Sequence, residues 1–63
     1  MLAELDKVKI KKTGTTGVIV DIYKAKDSTF YTVESDERGV PGGFGEKDSY
    51  KLFECIENEL ERL

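Results

Sequence analysis

The chain has 63 residues, of which 38% are hydrophobic and 37% charged, and it carries a net charge of −3 at pH 7. A chain of this length forms one domain and buries only about 60% of the surface that its unfolded form exposes. The sequence contains no histidine, no tryptophan and a single cysteine. Histidine is the usual base, proton shuttle and metal ligand at neutral pH, so this composition argues against most catalytic and metal-binding templates. We therefore expect one non-enzymatic domain over residues 1–63, with no cofactor and no metal ion.

The cysteine and the apolar segments bear on where the protein acts. Cys55 has no second cysteine for an internal disulfide, and a small domain without disulfides is typical of a reducing compartment. The neighbouring Glu54 disfavours a reactive thiolate, so we expect Cys55 to pack in the core. Acidic residues stand where a signal peptide carries basic ones, and no apolar run approaches the roughly 20 residues that span a bilayer. We expect a cytoplasmic protein with no membrane segment.

A half-buried strand is predicted at residues 6–12, where polar and apolar residues alternate with a period of two. Val8 and Ile10 would face the core of the protein, and the lysines between them would face solvent. A connection with two glycines follows at residues 13–17. It suits a hairpin, because glycine tolerates positive φ.

Two further strands are predicted in the first half of the chain. Residues 18–23 are rich in β-branched side chains, and residues 29–34 have a similar composition after a polar turn at 24–28. The residues that we place on the core side of these strands are Val18, Val20, Ile22, Tyr31 and Val33. Together with the first strand they predict a β-meander.

Residues 36–49 break the strand pattern with four glycines and the only proline. Loops of this length without structure of their own are uncommon in compact domains, so this one is functional, partly hairpin-like or disordered. Phe44 stands between two glycines within it. Its ring would either contact a partner or fold back over the open end of the core.

Residues 50–63 fit two different structures. The apolar positions recur with the spacing of an amphipathic helix, with Ser49 as an N-cap, and such a helix would back a three-stranded antiparallel sheet. The alternative is a fourth strand at 50–56, a single helical turn at 57–59 and a short fifth strand at 60–63. Those elements would close a barrel and remove its exposed edges.

The chain resembles small SH3-like proteins. Residues 6–22 are similar to their opening hairpin, in which a strand of the form D-x-V-x-V precedes a glycine-containing loop and G-x-V-x-x-I. The same hairpin resembles the KOW motif of transcription and ribosome factors. Residues 31–34, Phe53 and residues 59–61 are similar to bacterial SH3-like proteins and to the photosystem I accessory subunit family. The resemblance implies a mainly β fold, a small SH3-like antiparallel barrel of about five short strands with a helical turn near the C-terminus.

Outward-facing aromatic residues are the main candidates for function. If the second strand turns Val20 inward, Ile19 and Tyr23 face outward beside Phe30. An apolar patch rimmed with charge is the usual anatomy of a partner site. We therefore predict a non-catalytic module that binds another protein. The candidate contact residues are Ile19, Tyr23, Phe30 and Phe44.

The uneven distribution of charge gives an alternative function. Residues 1–26 hold six lysines and three acidic residues, a net +3, whereas residues 27–63 hold four basic and ten acidic residues, a net −6. A local lysine face can bind a phosphate backbone. The alternative is therefore a KOW-like nucleic-acid or ribosome contact through Lys7, Lys9, Lys11, Lys12, Lys24 and Lys26. KOW domains that bind nucleic acid tend to be basic, so the overall acidic charge disfavours this alternative.

Overall fold

The computed structural model describes residues 2–63 as one antiparallel sheet of five strands with the order β4-β3-β2-β1-β5. The strands are β1 (Lys7–Ile10), β2 (Thr16–Lys24), β3 (Thr29–Arg38), β4 (Tyr50–Ile56) and β5 (Leu60–Arg62). A single 3-10 turn at Glu57–Glu59 lies between β4 and β5. The predicted mainly β fold is thereby confirmed, including the strand, helical turn and strand of the C-terminal segment. The alternative of a C-terminal helix is wrong.

The sheet wraps around one core but does not close into a barrel. In the part of the chain that the structure describes, β4 and β5 are the two edge strands. Every strand nevertheless contributes to the same cluster of buried side chains: Val8, Ile10, Ile19, Tyr31, Val33, Cys55 and Leu60. Burying a large apolar side chain stabilises a fold by about 1.5–3 kcal/mol, so this cluster is the main source of stability. The predicted core positions of Val8, Ile10, Tyr31, Val33 and Cys55 are confirmed.

The orientation of β2 differs from the prediction because the strand contains a β-bulge. Its pairing with β3 shifts between Ile19 and Asp21, so Val20 is an extra residue without a partner. The shift lets both Ile19 and Ile22 face the core: Ile19 is fully buried, and Ile22 packs against the cluster. Val20 is 39% exposed, and Val18 is half-buried on the side of β2 that faces away from the core. The prediction that Val18 and Val20 belong to the core is wrong, whereas that for Ile22 is confirmed.

The long loop folds back along the free edge of β4. The backbone N–H of Phe44 donates to the carbonyl oxygen of Leu52 at 2.8 Å, and the N–H of Leu52 donates to the carbonyl oxygen of Phe44 at 2.9 Å. The ammonium group of Lys51, a residue only 8% exposed, donates to the carbonyl oxygen of Gly45 at 3.0 Å. The N–H of Ile56 donates to the Glu59 carboxylate at 2.9 Å. The bonds of Leu52 and Ile56 occupy backbone groups that the edge strand β4 would otherwise offer to another strand.

Asp6 ties the N-terminal segment to β5. Its carboxylate accepts hydrogen bonds from the N–H of Ala3 at 2.9 Å and from the guanidinium of Arg62 at 2.8 Å. The Ala3 hydrogen bond and then Arg62 hold the pKa of Asp6 below its usual value of 3.8. A depressed pKa in the folded state means that the ionised carboxylate stabilises the fold above pH 3.8, and that this stabilisation is lost as the pH falls through the folded pKa.

Asp6→Asn should therefore reduce the acid sensitivity of the protein. We expect the loss of unfolding free energy between neutral pH and pH values below 3.8 to be smaller in this variant than in the wild type. Urea denaturation at a series of pH values measures this loss. Glu4→Gln is the matched control, because Glu4 is exposed and forms no ion pair within residues 2–63. Equal acid sensitivity in the wild type and in Asp6→Asn would contradict the prediction.

Candidate partner-binding face

The side of β2, β3 and β4 that faces away from the core carries a row of large apolar side chains. Residues directly opposite each other in adjacent strands lie on the same face of a sheet. Tyr23 lies opposite Phe30, and Phe30 lies opposite Ile56. Tyr23 is 62% exposed and Ile56 40% exposed, whereas Phe30 is half-buried. We call these three residues the aromatic row and this side of the sheet the outer face.

The two rings of the aromatic row are stacked. The ring centroids of Tyr23 and Phe30 are 6.4 Å apart, with an angle of 26° between the ring planes. Such an aromatic pair contributes about 0.5–1.5 kcal/mol beyond the area that it buries. The stacking therefore fixes the position of both rings before any partner arrives, which lowers the entropy lost on binding.

A second apolar row lies further along the same face. Val18 and Leu52 lie on either side of Glu34 in the register, and the bridge to Phe44 extends this row beyond β4. Leu52 is 38% exposed and Phe44 is 74% exposed. We call Val18, Leu52 and Phe44 the loop row. The loop contributes its phenylalanine to the outer face through backbone hydrogen bonds rather than through side-chain packing in the core.

Exposed carboxylates separate the two apolar rows. Asp21 and Glu54 lie on either side of Thr32, midway between the rows, and Glu34 lies within the loop row. None of these three carboxylates forms an ion pair with another residue among positions 2–63. The outer face is thus apolar at both ends and negatively charged between them.

Three of the four predicted contact residues lie on this face. Tyr23 and Phe30 are adjacent, and Phe44 lies in the loop row. Ile19 is fully buried and faces the opposite way, so its assignment to the surface is wrong. Leu52 and Ile56 also lie on this face and are not among the predicted contact residues. The period of two is the signal that could have revealed them, because in a strand at 50–56 with Cys55 in the core, Leu52, Glu54 and Ile56 share the opposite face.

The six lysines do not form one continuous surface. Lys7 donates to Asp36 at 2.9 Å, and Lys9 lies 3.7 Å from Glu61. The hydrogen bond from Lys7 holds the pKa of Asp36 below its usual value. Lys11 and Lys12 follow in the β1–β2 turn, whereas Lys24 and Lys26 lie at the other end of β2. Because Lys7 lies opposite Val18 and Lys24 is six residues further along β2, about 20 Å separate the two groups.

The ionisable groups of the core are unsuited to chemistry near neutral pH. Cys55 is 6% exposed, and its burial, with the charges of Glu59 and Glu54, raises the pKa of the thiol. Burial and then Glu57 raise the pKa of Tyr31. Both groups therefore remain protonated near neutral pH. No cluster of three or more potential metal ligands occurs among the residues that the structure describes.

No similar protein indicates what the outer face binds, so its function is inferred from its own residues. No protein-family model, no curated protein and no solved structure matches this chain. Within residues 2–63, no helix has the length and apolar character that crossing a bilayer requires.

Phe44→Ala should leave the stability of the protein almost unchanged, by less than about 0.5 kcal/mol. The ring is 74% exposed, and alanine retains both backbone hydrogen bonds to Leu52. Thermal unfolding checks this expectation. Phe53→Ala is the control, because Phe53 packs against the core and its truncation should cost about 2 kcal/mol or more. If Phe44→Ala were as destabilising as Phe53→Ala, the ring would be a part of the core and not of the outer face.

Proposed function

We propose that this protein is a non-catalytic module that binds another protein through the outer face of β2, β3 and β4. The aromatic row supports the proposal most directly. A stacked aromatic pair that is held in place and partly exposed, next to an exposed isoleucine, resembles the aromatic anchors that dominate binding at protein interfaces. The stable core beneath the row lets it serve as a rigid binding surface.

The class of module that we propose is an SH3-like domain. The sequence resemblance of the opening hairpin supports this assignment, as do five antiparallel strands and one helical turn before the last strand. β1 lies between β2 and the edge strand β5, which brings the two ends of the chain together in the sheet. We further propose that the module acts in the cytoplasm, because its single cysteine leaves it without an internal disulfide.

Site-specific photo-crosslinking tests the proposed function. A photoreactive phenylalanine analogue replaces Ile56, so that the stacked rings of Tyr23 and Phe30 both remain. The labelled protein is then irradiated in an extract of cells that naturally express it. We expect a covalent adduct with another protein. Excess unlabelled wild type should suppress this adduct, whereas excess Tyr23→Ser should not.

The matched control carries the photoreactive residue at Lys12, in the β1–β2 turn and away from the outer face. Thermal unfolding of Tyr23→Ser verifies that the competitor is folded. Adducts of equal yield from both positions, or no protein adduct from position 56, would contradict the proposal.

A further inference from the structure

We infer that the segment bound by the outer face is basic as well as apolar, with lysine or arginine side chains between large apolar ones. This inference rests on the proposed function and specifies the chemistry of the partner. The structural basis is the juxtaposition of two apolar rows with the carboxylates of Asp21, Glu34 and Glu54.

The three carboxylates are exposed, and no basic residue that the structure describes is ion-paired with them. Residues 2–63 contain three ion pairs, and none of them involves Asp21, Glu34 or Glu54. Two nearby lysine side chains are bound to other groups. Lys7 is bound to Asp36, and Lys51 is turned inward to the carbonyl oxygen of Gly45.

The remaining basic residues of β2 and β3 also lie away from these carboxylates. Lys24 lines a cleft with Ile22 and Tyr31, on the core side of the sheet. Arg38 lies over the ring of Tyr50 at the far end of β3, 5.2 Å from the ring centroid. At the centre of the outer face, these carboxylates are therefore exposed and without an ion-pair partner among the described residues.

The positions of the carboxylates determine which partner is favoured. A segment that covers both apolar rows must also cover Asp21 and Glu54, which lie between them. Covering a carboxylate removes it from water, and that costs free energy unless a cation or hydrogen-bond donors replace the water. A basic segment supplies the cation, whereas an acidic segment adds repulsion and a neutral one leaves the charges unpaired.

The spacing along β4 indicates the pattern of the bound segment. Leu52, Glu54 and Ile56 lie on the outer face in succession, and same-face residues of a strand are about 7 Å apart. An extended segment with the order apolar, basic, apolar at alternate positions matches this spacing. The segment does not extend the sheet, because the backbone of Leu52 bonds Phe44 and the N–H of Ile56 bonds Glu59. It contacts side chains of the outer face instead.

Titration with three synthetic peptides tests the inference. The peptides share one set of leucine and phenylalanine positions and carry lysine, serine or glutamate at the alternate positions. Amide chemical shifts of the isotopically labelled protein report both the affinity and the location of binding. We expect the lysine peptide to shift the outer-face amides of β2, β3 and β4 and to bind at least about tenfold more tightly than the serine peptide.

Two double variants of equal net charge make the test specific. Asp21→Asn with Glu54→Gln should abolish the preference for lysine. Glu46→Gln with Asp48→Asn removes the same number of charges from the exposed loop and should retain it. Thermal unfolding checks that both variants are folded. An unchanged preference in the first variant, or equal loss in both, would overturn the inference.

The remaining outcomes separate this inference from the proposed function. Equal affinity of the serine and lysine peptides for the outer face would overturn the basic partner but leave protein binding intact. An acidic segment cross-linked to position 56 would likewise overturn the basic partner and leave protein binding intact. No protein adduct at position 56 would overturn both. Self-association that Tyr23→Ser removes and that Asp21→Asn with Glu54→Gln retains would assign the face to a second copy of this chain and overturn the inference.

Discussion

Ile19→Ala should lower the free energy of unfolding by about 3 kcal/mol or more. Ile19 is fully buried at the centre of the core, between β1 and β3, so its truncation removes apolar contacts and leaves a cavity. A domain of this size has only a few kcal/mol of stability in reserve. We therefore expect the variant to be largely unfolded at physiological temperature. Circular dichroism and urea denaturation measure the loss.

Val20→Ala is the matched control for Ile19→Ala. Val20 is the adjacent residue and is also β-branched, but it is the bulge residue and is 39% exposed. Its truncation should cost less than about 1 kcal/mol, since partly exposed side chains lose little apolar contact. A larger cost for Val20→Ala than for Ile19→Ala would show that the bulge is wrongly placed and that β2 presents its other side to the core.

Gly17→Ala should be comparably disruptive, at about 3 kcal/mol, the upper end of the usual cost of overpacking. Gly17 is buried in β2, and a Cβ atom there would collide with the backbone carbonyl oxygen of Glu34 and lie 2.8 Å from Cγ1 of Val33. Backbone atoms cannot rotate away as a flexible side chain can. The substitution must therefore push β2 and β3 apart at the point where they enclose the core.

Gly14→Ala separates this steric effect from the conformational freedom of glycine. Gly14 has a φ of 79° in the β1–β2 turn, yet no atom lies within 4 Å of the position that a Cβ would occupy. Its replacement should cost only about 1 kcal/mol, from backbone strain alone. Thermal unfolding of the two variants compares them. Equal destabilisation would mean that the close approach of β2 and β3 at Gly17 is absent.

The periodicity and composition of the first half of the sequence were sufficient to predict β1, β2 and β3. Alternation in β1 placed Val8 and Ile10 on the core side, and the composition of β3 placed Tyr31 and Val33 there as well. These assignments hold because polar residues separate the core positions, with Lys9 between Val8 and Ile10 and Thr32 between Tyr31 and Val33. The predicted closure of a barrel is wrong, because the two edge strands β4 and β5 do not pair with each other, and the periodicity within a strand does not indicate which strands pair at their edges.

The sequence by itself determined the locations of β1, β2 and β3 and the core position of Cys55, but it left residues 50–63 open between a helix and a strand, helical turn and strand. Only the tertiary structure decided which side of β2 faces inward. Val18, Ile19 and Val20 are all apolar, so no alternation distinguishes the two sides, and the bulge is defined only by pairing with β3. The outer face is likewise a product of register: the aromatic row and the carboxylates of Asp21 and Glu54 come from three strands, and only strand pairing places them side by side.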